Sequence, residues 1–230
     1  MRIFIPVVLI ILLADAQQLN QLLNISGIEF PTFDLNEARN GKYLGSNLDS
    51  LRQLFILTRR GTLLLSHLNY PLLLEGRQQQ GKMQKPISKH RAFPCDVRNS
   101  RSSKIPNSVH RLRPGDIDII ASFGDSLSAG SAIMSETIVG MLNEYRGLSF
   151  SGGGLGSWRQ FLTLPNILKV FNPQLYGYST NFGLTIDADS HLNIAEPMLM
   201  SRDLPFQAHS LINRLKQDPN IDLQQHWKLL

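Results

Sequence analysis

Ser126 is the residue whose neighbours are best arranged to make it a nucleophile. It stands in Ile117-Asp118-Ile119-Ile120-Ala121-Ser122-Phe123-Gly124-Asp125-Ser126-Leu127-Ser128-Ala129-Gly130, where a run dense in β-branched and aromatic residues gives way to Gly-Asp-Ser-Leu. A serine hydroxyl attacks an ester only when a base takes its proton and donors stabilise the developing oxyanion. A position after a buried strand and before a helix helps with both, since it holds the side chain at the carboxyl edge of a sheet with helix N-terminal amides nearby. For Asp125, orienting the loop by hydrogen bonding and N-capping the helix are one and the same role. The spacing is not the G-x-S-x-G elbow of the α/β-hydrolases.

A base is harder to find. The six histidines are His67, His90, His110, His191, His209 and His226, and none lies in a D-x-x-H sequence. Asp222 and His226 are four apart, a spacing at which a carboxylate could orient an imidazole; the plainer reading is that both decorate an exposed helix end before a strand. His110 precedes the strand and suggests packing, and His209 reads as a surface residue beside an apolar stripe.

The elements that must hold these residues follow from pattern. Asp116 to Phe123 reads as one buried strand of about eight residues. Ser131 to Tyr145 places Ile133, Met134, Ile138, Met141, Leu142 and Tyr145 on one helical face and predicts a helix directly after the Ser126 loop. A glycine-rich turn, Ser151-Gly152-Gly153-Gly154-Leu155-Gly156, leads to a short helix over 165–171 that Asn172-Pro173 ends. A second helix is expected from Asp203 as N-cap, with Pro205 in its first turn, a stripe of Ala208, Leu211, Ile212 and Leu215, and a stop at Asp218-Pro219. His226 to Leu230 opens a further strand. Upstream, Leu51, Leu54, Phe55 and Leu57 sit at near-helical spacing, while Thr62–Leu65 and Leu72–Leu74 are too short to classify.

The whole chain frames these elements. At 230 residues and 42% apolar content it can bury one substantial core. Its net charge of +5 is concentrated in Gly76–Lys104, which carries eight Lys or Arg against the single acid Asp96. That concentration argues against nucleic acid as the partner and describes an exposed linker or arm. No apolar helical face accompanies the charges, which favours a solvated loop over a lipid-binding one. Met1-Arg2, the eleven apolar residues Ile3–Leu13 and Ala14-Asp15-Ala16 form a secretory signal peptide, too short to span a bilayer, which takes about 20. The mature chain is therefore expected to be extracellular or lumenal. Asn24-Ile25-Ser26 is a glycosylation sequon. Cys95, the sole cysteine, leaves open a free thiol, an intermolecular bridge or a partner outside the sequence.

RPGDIDIIASFGDSLSAG, EYRGLSFSGGG, TLPNILKVFNP, RDLP and HWKLL, in that order from about Lys85 to Leu230, resemble the serial landmarks of the phospholipase B family of GDSL (SGNH) hydrolases. The resemblance implies a three-layer, flavodoxin-like α/β fold with a mostly parallel sheet. It also implies deacylation of phospholipids and lysophospholipids without a metal or other cofactor, with peripheral contact to a membrane surface and membrane association in longer forms. Ser126 matches the family nucleophile, with its own N–H as one oxyanion donor, and Asp125 the residue that orients the loop. A second donor comes in the family from a glycine in N-x-A-x-x-G-A, which aligns with Asn193–Leu199 and puts Met198 where the glycine belongs. Gly153 and Gly154 match a separate glycine turn, where backbone geometry is the expected role ahead of oxyanion donation. The family's G-x-N-D and D-x-x-H elements, which supply a third donor and the base, find no match, so the chain is expected to be a C-terminally truncated form.

The expected organisation is a signal peptide over 1–16, a helical extension over 17–75, a basic linker or arm over 76–113 and the N-terminal part of the lipase domain over 114–230. Three functions compete: a phospholipase B-like esterase, an inactive secreted protein or lipid-binding fragment, and a basic surface-binding module. Expressed alone, the chain is expected to fold poorly and turn over little ester.

Overall fold

The structure, a computed structural model, describes residues 70–135 and 139–230, and the side chains of Val139 and Arg202 are not among those placed. The chain divides into two units, Met1–Gly61 and Thr62–Leu230, and every described residue belongs to the second. The signal peptide, the Asn24 sequon, the helix expected around Leu51–Leu57 and His67 lie outside the described residues.

The molecule is built around β1 (Ile117–Ile120), whose Ile-Asp-Ile-Ile sequence suits a pleated strand between two covered faces. On one edge it pairs in parallel with β2 (Trp227–Leu229), Ile117 opposite Trp227 and Ile120 opposite Leu229. On the other edge its partner is broken. Tyr176 bonds to it first, through Ile120 N to Tyr176 O at 2.9 Å, and then the segment 192–196 takes over, with Ser122 N donating to Leu192 O at 3.1 Å and Ile194 N to Ser122 O at 2.8 Å. All of these pairings are parallel. The fold is thus a mixed α/β arrangement around a small parallel sheet. The strand expected from Asp116 to Phe123 is regular over only four residues and continues as isolated bridges.

Alternation along β1 divides the core. Ile119 and Ala121 face Leu192, Ile194, Leu211, Leu215 and Ile221, while Ile120 faces Leu168 and Leu175. Each fully buried Leu or Ile contributes about 1.5–3 kcal/mol, so the two clusters fix which helix lies on which face. Describing helices in chain order, α1 covers 70–79, α2 is Ser126–Ala129, α3 is Leu164–Phe171 and α4 is Leu204–Gln217. Leu168 of α3 packs on one face and Leu211 and Leu215 of α4 on the other. The helix bounds follow their sequence signals. Thr163 caps α3 through its hydroxyl to Asn166 N at 3.3 Å, and Asn172 N closes it on Leu168 O before Pro173. Pro205 opens α4, and Asp218 ends it ahead of Pro219. Asp203 takes the expected N-cap position of α4 but does not cap it with its side chain: its carboxylate accepts Met200 N at 2.9 Å, closing a 3₁₀ turn over Ser201–Asp203 that runs into α4.

Two expectations about helices are corrected. The single helix expected over Ser131–Tyr145 does not form among the described residues, where only Val139–Leu142 is helical, as a 3₁₀ turn. Gly130 ends α2 in the left-handed conformation (φ 73°), and a Cβ there would lie 2.6 Å from Tyr145 O. Residues 130–132 pair instead with 143–145, by Ala132 N to Asn143 O and Tyr145 N to Gly130 O, and of the described stripe residues Met134 and Tyr145 are buried while Met141 is exposed. On α4 the buried face is Gln207, Leu211 and Leu215, whereas Ala208 and Ile212 are exposed.

The basic segment lies along the domain. Ile87 N donates to Arg159 O, Phe93 packs edge-on to Trp158 and Phe171, and Gly115 N bonds to Ser100 O. Asp116 joins its end to β1, accepting Ser102 N at 2.7 Å and Arg113 N at 2.9 Å. Cys95 is exposed and carries no disulfide. Among the described residues no helix is long and apolar enough to cross a membrane.

Candidate active site

Gly124 is the pivot between β1 and Ser126. Its φ of 134° is closed to residues with a side chain, and a Cβ would meet Ser128 Oγ at 2.8 Å. Three groups hold it: Gln207 Oε1 accepts its N–H at 2.9 Å, while Gln207 Nε2 and Glu196 N donate to its carbonyl at 2.7 and 3.1 Å. Asp125 is the N-cap of α2, its carboxylate accepting Leu127 N at 3.0 Å. This bond fixes the turn in which half-buried Ser126 is the first helical residue. Among the described residues no hydrogen bond takes up the Ser126 amide, whereas the neighbouring amides of Leu127, Ala129, Gly130 and Ser131 all find acceptors.

The segment 192–196 brings a second loop to this edge. Buried Asn193 donates from Nδ2 to Ser128 O at 3.0 Å, tying that loop to α2. Beyond it Met198 is exposed and left-handed, with φ 67°. The position aligned with a glycine thus takes a glycine-like conformation with a methionine in it.

Arg146 organises the loops behind this edge. Fully buried, it donates to Gly183 O at 2.8 Å, Asn193 O at 3.0 Å, Ala195 O at 2.7 Å and Thr185 Oγ1 at 2.8 Å, and it pairs with buried Glu144. Desolvation lowers its pKa to about 10, against the pull of Glu196 and Asp187.

Both amides of the glycine turn are committed, Gly153 N to Ser149 O at 2.9 Å and Gly154 N to Ser179 O at 2.8 Å. Neither is available to an oxyanion. Their role is geometric: a Cβ at Gly153 would lie 2.5 Å from Ser149 N, and one at Gly154 would lie 2.1 Å from the Tyr178 ring. The turn still reaches the edge, since Ser149 Oγ donates to Ser128 O and Ser151 Oγ lies 2.7 Å from Ser122 Oγ.

The described histidines stand elsewhere. His226 precedes Trp227, which pairs with Ile117, so it lies at the amino edge of the parallel sheet and Ser126 at the carboxyl edge. Four strand residues separate those edges by roughly 13 Å. The Asp222 carboxylate accepts Gln224 N and Gln225 N, and His226 Nδ1 accepts the Asp222 amide at 3.1 Å, so no carboxylate–imidazole relay forms. His191 packs edge-on against Tyr176, and His90, His110 and His209 are exposed. No hydrogen bond among the described residues joins an imidazole to Ser126.

Large exposed apolar side chains stand on the segments that reach this edge. Phe123 and Leu127 flank Ser126 in sequence, Phe150 sits between Ser149 and Ser151, Leu164 N bonds to Phe150 O, and Met198 and Met200 follow the 192–196 segment. Among the described residues no group of three or more His, Cys, Asp or Glu is placed to hold a metal ion.

Comparison with known proteins bears on this edge. The chain is 42% identical over 138 residues to a rat protein named "Phospholipase B1, membrane-associated", 43% over 138 residues to the mouse protein of that name and 43% over 129 residues to the human one. Over that stretch the chain is similar to phospholipase B proteins. The stretch covers 60%, 60% and 56% of the chain but 9% of each relative, so the chain spans under a tenth of the curated proteins it matches. No family model matches the chain, and no solved structure is detectably similar. The relatives' shared name lends nothing to the inactive alternative.

Sequence reasoning named Ser126, Asp125 and Met198, and all three lie at this edge. It missed Gln207 and Arg146. Gln207 left a signal, a polar residue in line with Leu211 and Leu215 at spacings of four; Arg146 left none, because one buried cation in a loop looks like any surface arginine.

Proposed function

We propose that this phospholipase B-like domain is a serine ester hydrolase of the SGNH type, with a three-layer flavodoxin-like architecture, acting on phospholipids or lysophospholipids. Ser126 is the nucleophile, and its unengaged amide and that of Met198 are the oxyanion donors. Asp125 holds the turn. The carrying observation is the free Ser126 amide on a rigidly pinned turn at the carboxyl edge of a parallel sheet, since catalysis needs donors fixed before charge develops.

The exposed apolar side chains on the segments that reach this edge support a lipid substrate over a small polar ester, because apolar groups held at a surface favour an apolar ligand. Phe123, Leu127, Phe150 and Met198 would rest on the acyl region while the ester reaches Ser126, giving peripheral contact with the lipid surface.

The test is release of fatty acid from lysophosphatidylcholine micelles, together with labelling by a fluorophosphonate mapped to its peptide. The expected result is a phosphonate on Ser126 and slow fatty-acid release, slow because no described imidazole serves Ser126, both lost in Ser126→Ala. A protein that takes no phosphonate and releases fatty acid no faster than Ser126→Ala overturns the proposal.

A further inference from the structure

Gln207 is a fully buried polar residue on the apolar face of α4, 83 residues from the loop it touches. A buried carboxamide that failed to bond would destabilise the fold, and this one finds partners for both ends. Its oxygen accepts Gly124 N at 2.9 Å and its nitrogen donates to Gly124 O at 2.7 Å and Ile194 O at 3.3 Å. A single side chain therefore occupies both backbone groups of one residue, as a neighbouring strand would, just where the regular ladder of β1 has stopped. The residue so held is a glycine at φ 134°, the most rotatable position before Asp125 and Ser126.

We propose that Gln207 is a positioning residue for Ser126: it locks the Gly124 backbone and so sets the direction in which the nucleophile and its amide point. This rests on the reading of Ser126 as nucleophile, and it adds the element that fixes its aim. Leu211 and Leu215 share the buried face of α4 with Gln207, so core packing of the helix sets where the carboxamide reaches the loop. Asn193 and Asp125 secure α2 beyond the pivot; Gln207 secures the pivot itself.

The test compares Gln207→Met, which keeps the volume and removes every hydrogen bond, with Gln207→Glu, which at neutral pH keeps an acceptor for Gly124 N and loses the donor. In Gln207→Met, amide exchange at Gly124 is expected to speed at least about tenfold while Ile119–Ala121 keep their protection. Loss of kcat is expected to approach about 100-fold with little change in KM, the scale on which a misplaced reacting group loses rate. Gln207→Glu should fall between Gln207→Met and the parent in Gly124 exchange. Unchanged Gly124 exchange, or an unchanged kcat in an active parent, overturns the proposal. Should Gln207→Met fail to fold, the unsubstituted chain still decides: Gln207 side-chain NH₂ protons that exchange slowly and show contacts to Ile194 and Gly124 support the lock, and fast-exchanging protons without those contacts refute it. A parent with neither hydrolysis nor labelling sinks the hydrolase reading, and the exchange measurements judge the lock separately.

Discussion

Met198→Gly should stabilise the domain relative to a matched control, and the size of the effect follows from one dihedral. Met198 is left-handed at φ 67° and 73% exposed. That conformation costs a residue with a Cβ about 1–2 kcal/mol, and glycine takes it without strain. Glycine also makes the unfolded chain more flexible, which costs about 0.5–1 kcal/mol, and truncation forfeits the small buried part of the side chain. Those losses nearly offset the gain, so the single substitution is a poor test and a comparison is needed. Met200 supplies it: it is 61% exposed, two residues on, with extended backbone at φ −118°. Met200→Gly carries the same entropy and truncation losses and relieves no strain. Met198→Gly should therefore exceed Met200→Gly by about 1–2 kcal/mol, a difference of about 2–8 °C in Tm for a chain of this size. Urea unfolding of both variants, with Met198→Ala and Met200→Ala to match side-chain loss alone, measures it. Equal stability of the two glycine variants would refute the claim that Met198 stores backbone strain.

Two further predictions concern the frame around the site. Burial pushes the Asp116 pKa up, but the Ser102 and Arg113 amides, the Ser102 hydroxyl and the charge of Arg101 outweigh it and hold the carboxyl below its usual value. A folded pKa below the unfolded one gives stability that is full above about pH 4 and lost as pH falls through the folded value, so Asp116→Asn should cost about 1–2 kcal/mol at pH 7 and flatten the acid limb of a Tm–pH profile. Arg146→Met takes the counter-charge from buried Glu144 and should cost about 3–5 kcal/mol, with Arg146→Met/Glu144→Leu recovering part of it; a loss below about 1 kcal/mol in chemical denaturation would contradict the burial of the pair.

What could be read in the sequence was what short windows encode. The strand that leads into Gly124-Asp125-Ser126, the stops at Pro173 and Pro219 and the strand at Trp227 all depend on neighbouring residues. The failures have a common cause in long-range bonding. Ser131–Tyr145 has the periodicity of a helix, yet Gly130 lies so close to Tyr145 O that the chain pairs with itself instead. On α4, Ala208 and Ile212 were expected in the buried stripe, and the structure buries Gln207 beside Leu211 and Leu215 instead, because Gly124 and Ile194, remote in sequence, supply the partners that make a buried carboxamide acceptable. Met198 is the intermediate case: the alignment with a glycine marked a special backbone position, and the dihedral shows what was special.

The parallel register carries the argument about catalysis one step further. In a parallel sheet every strand delivers its following loop to the same edge, and ligands gather there. Here β1 delivers Ser126, and the strand-like run from Leu192 to Glu196 delivers Met198, so both amides proposed as donors arrive by the same geometric rule. A base has to obey it too. His226 stands before its strand, level with the start of β1, and repacking a surface side chain does not move it roughly 13 Å along the sheet. An imidazole serving Ser126 must therefore belong to a segment that follows a strand's carboxyl end or reaches over that edge. That criterion separates candidates by their place in the fold, and it excludes Asp222–His226 whatever the pKa of the pair.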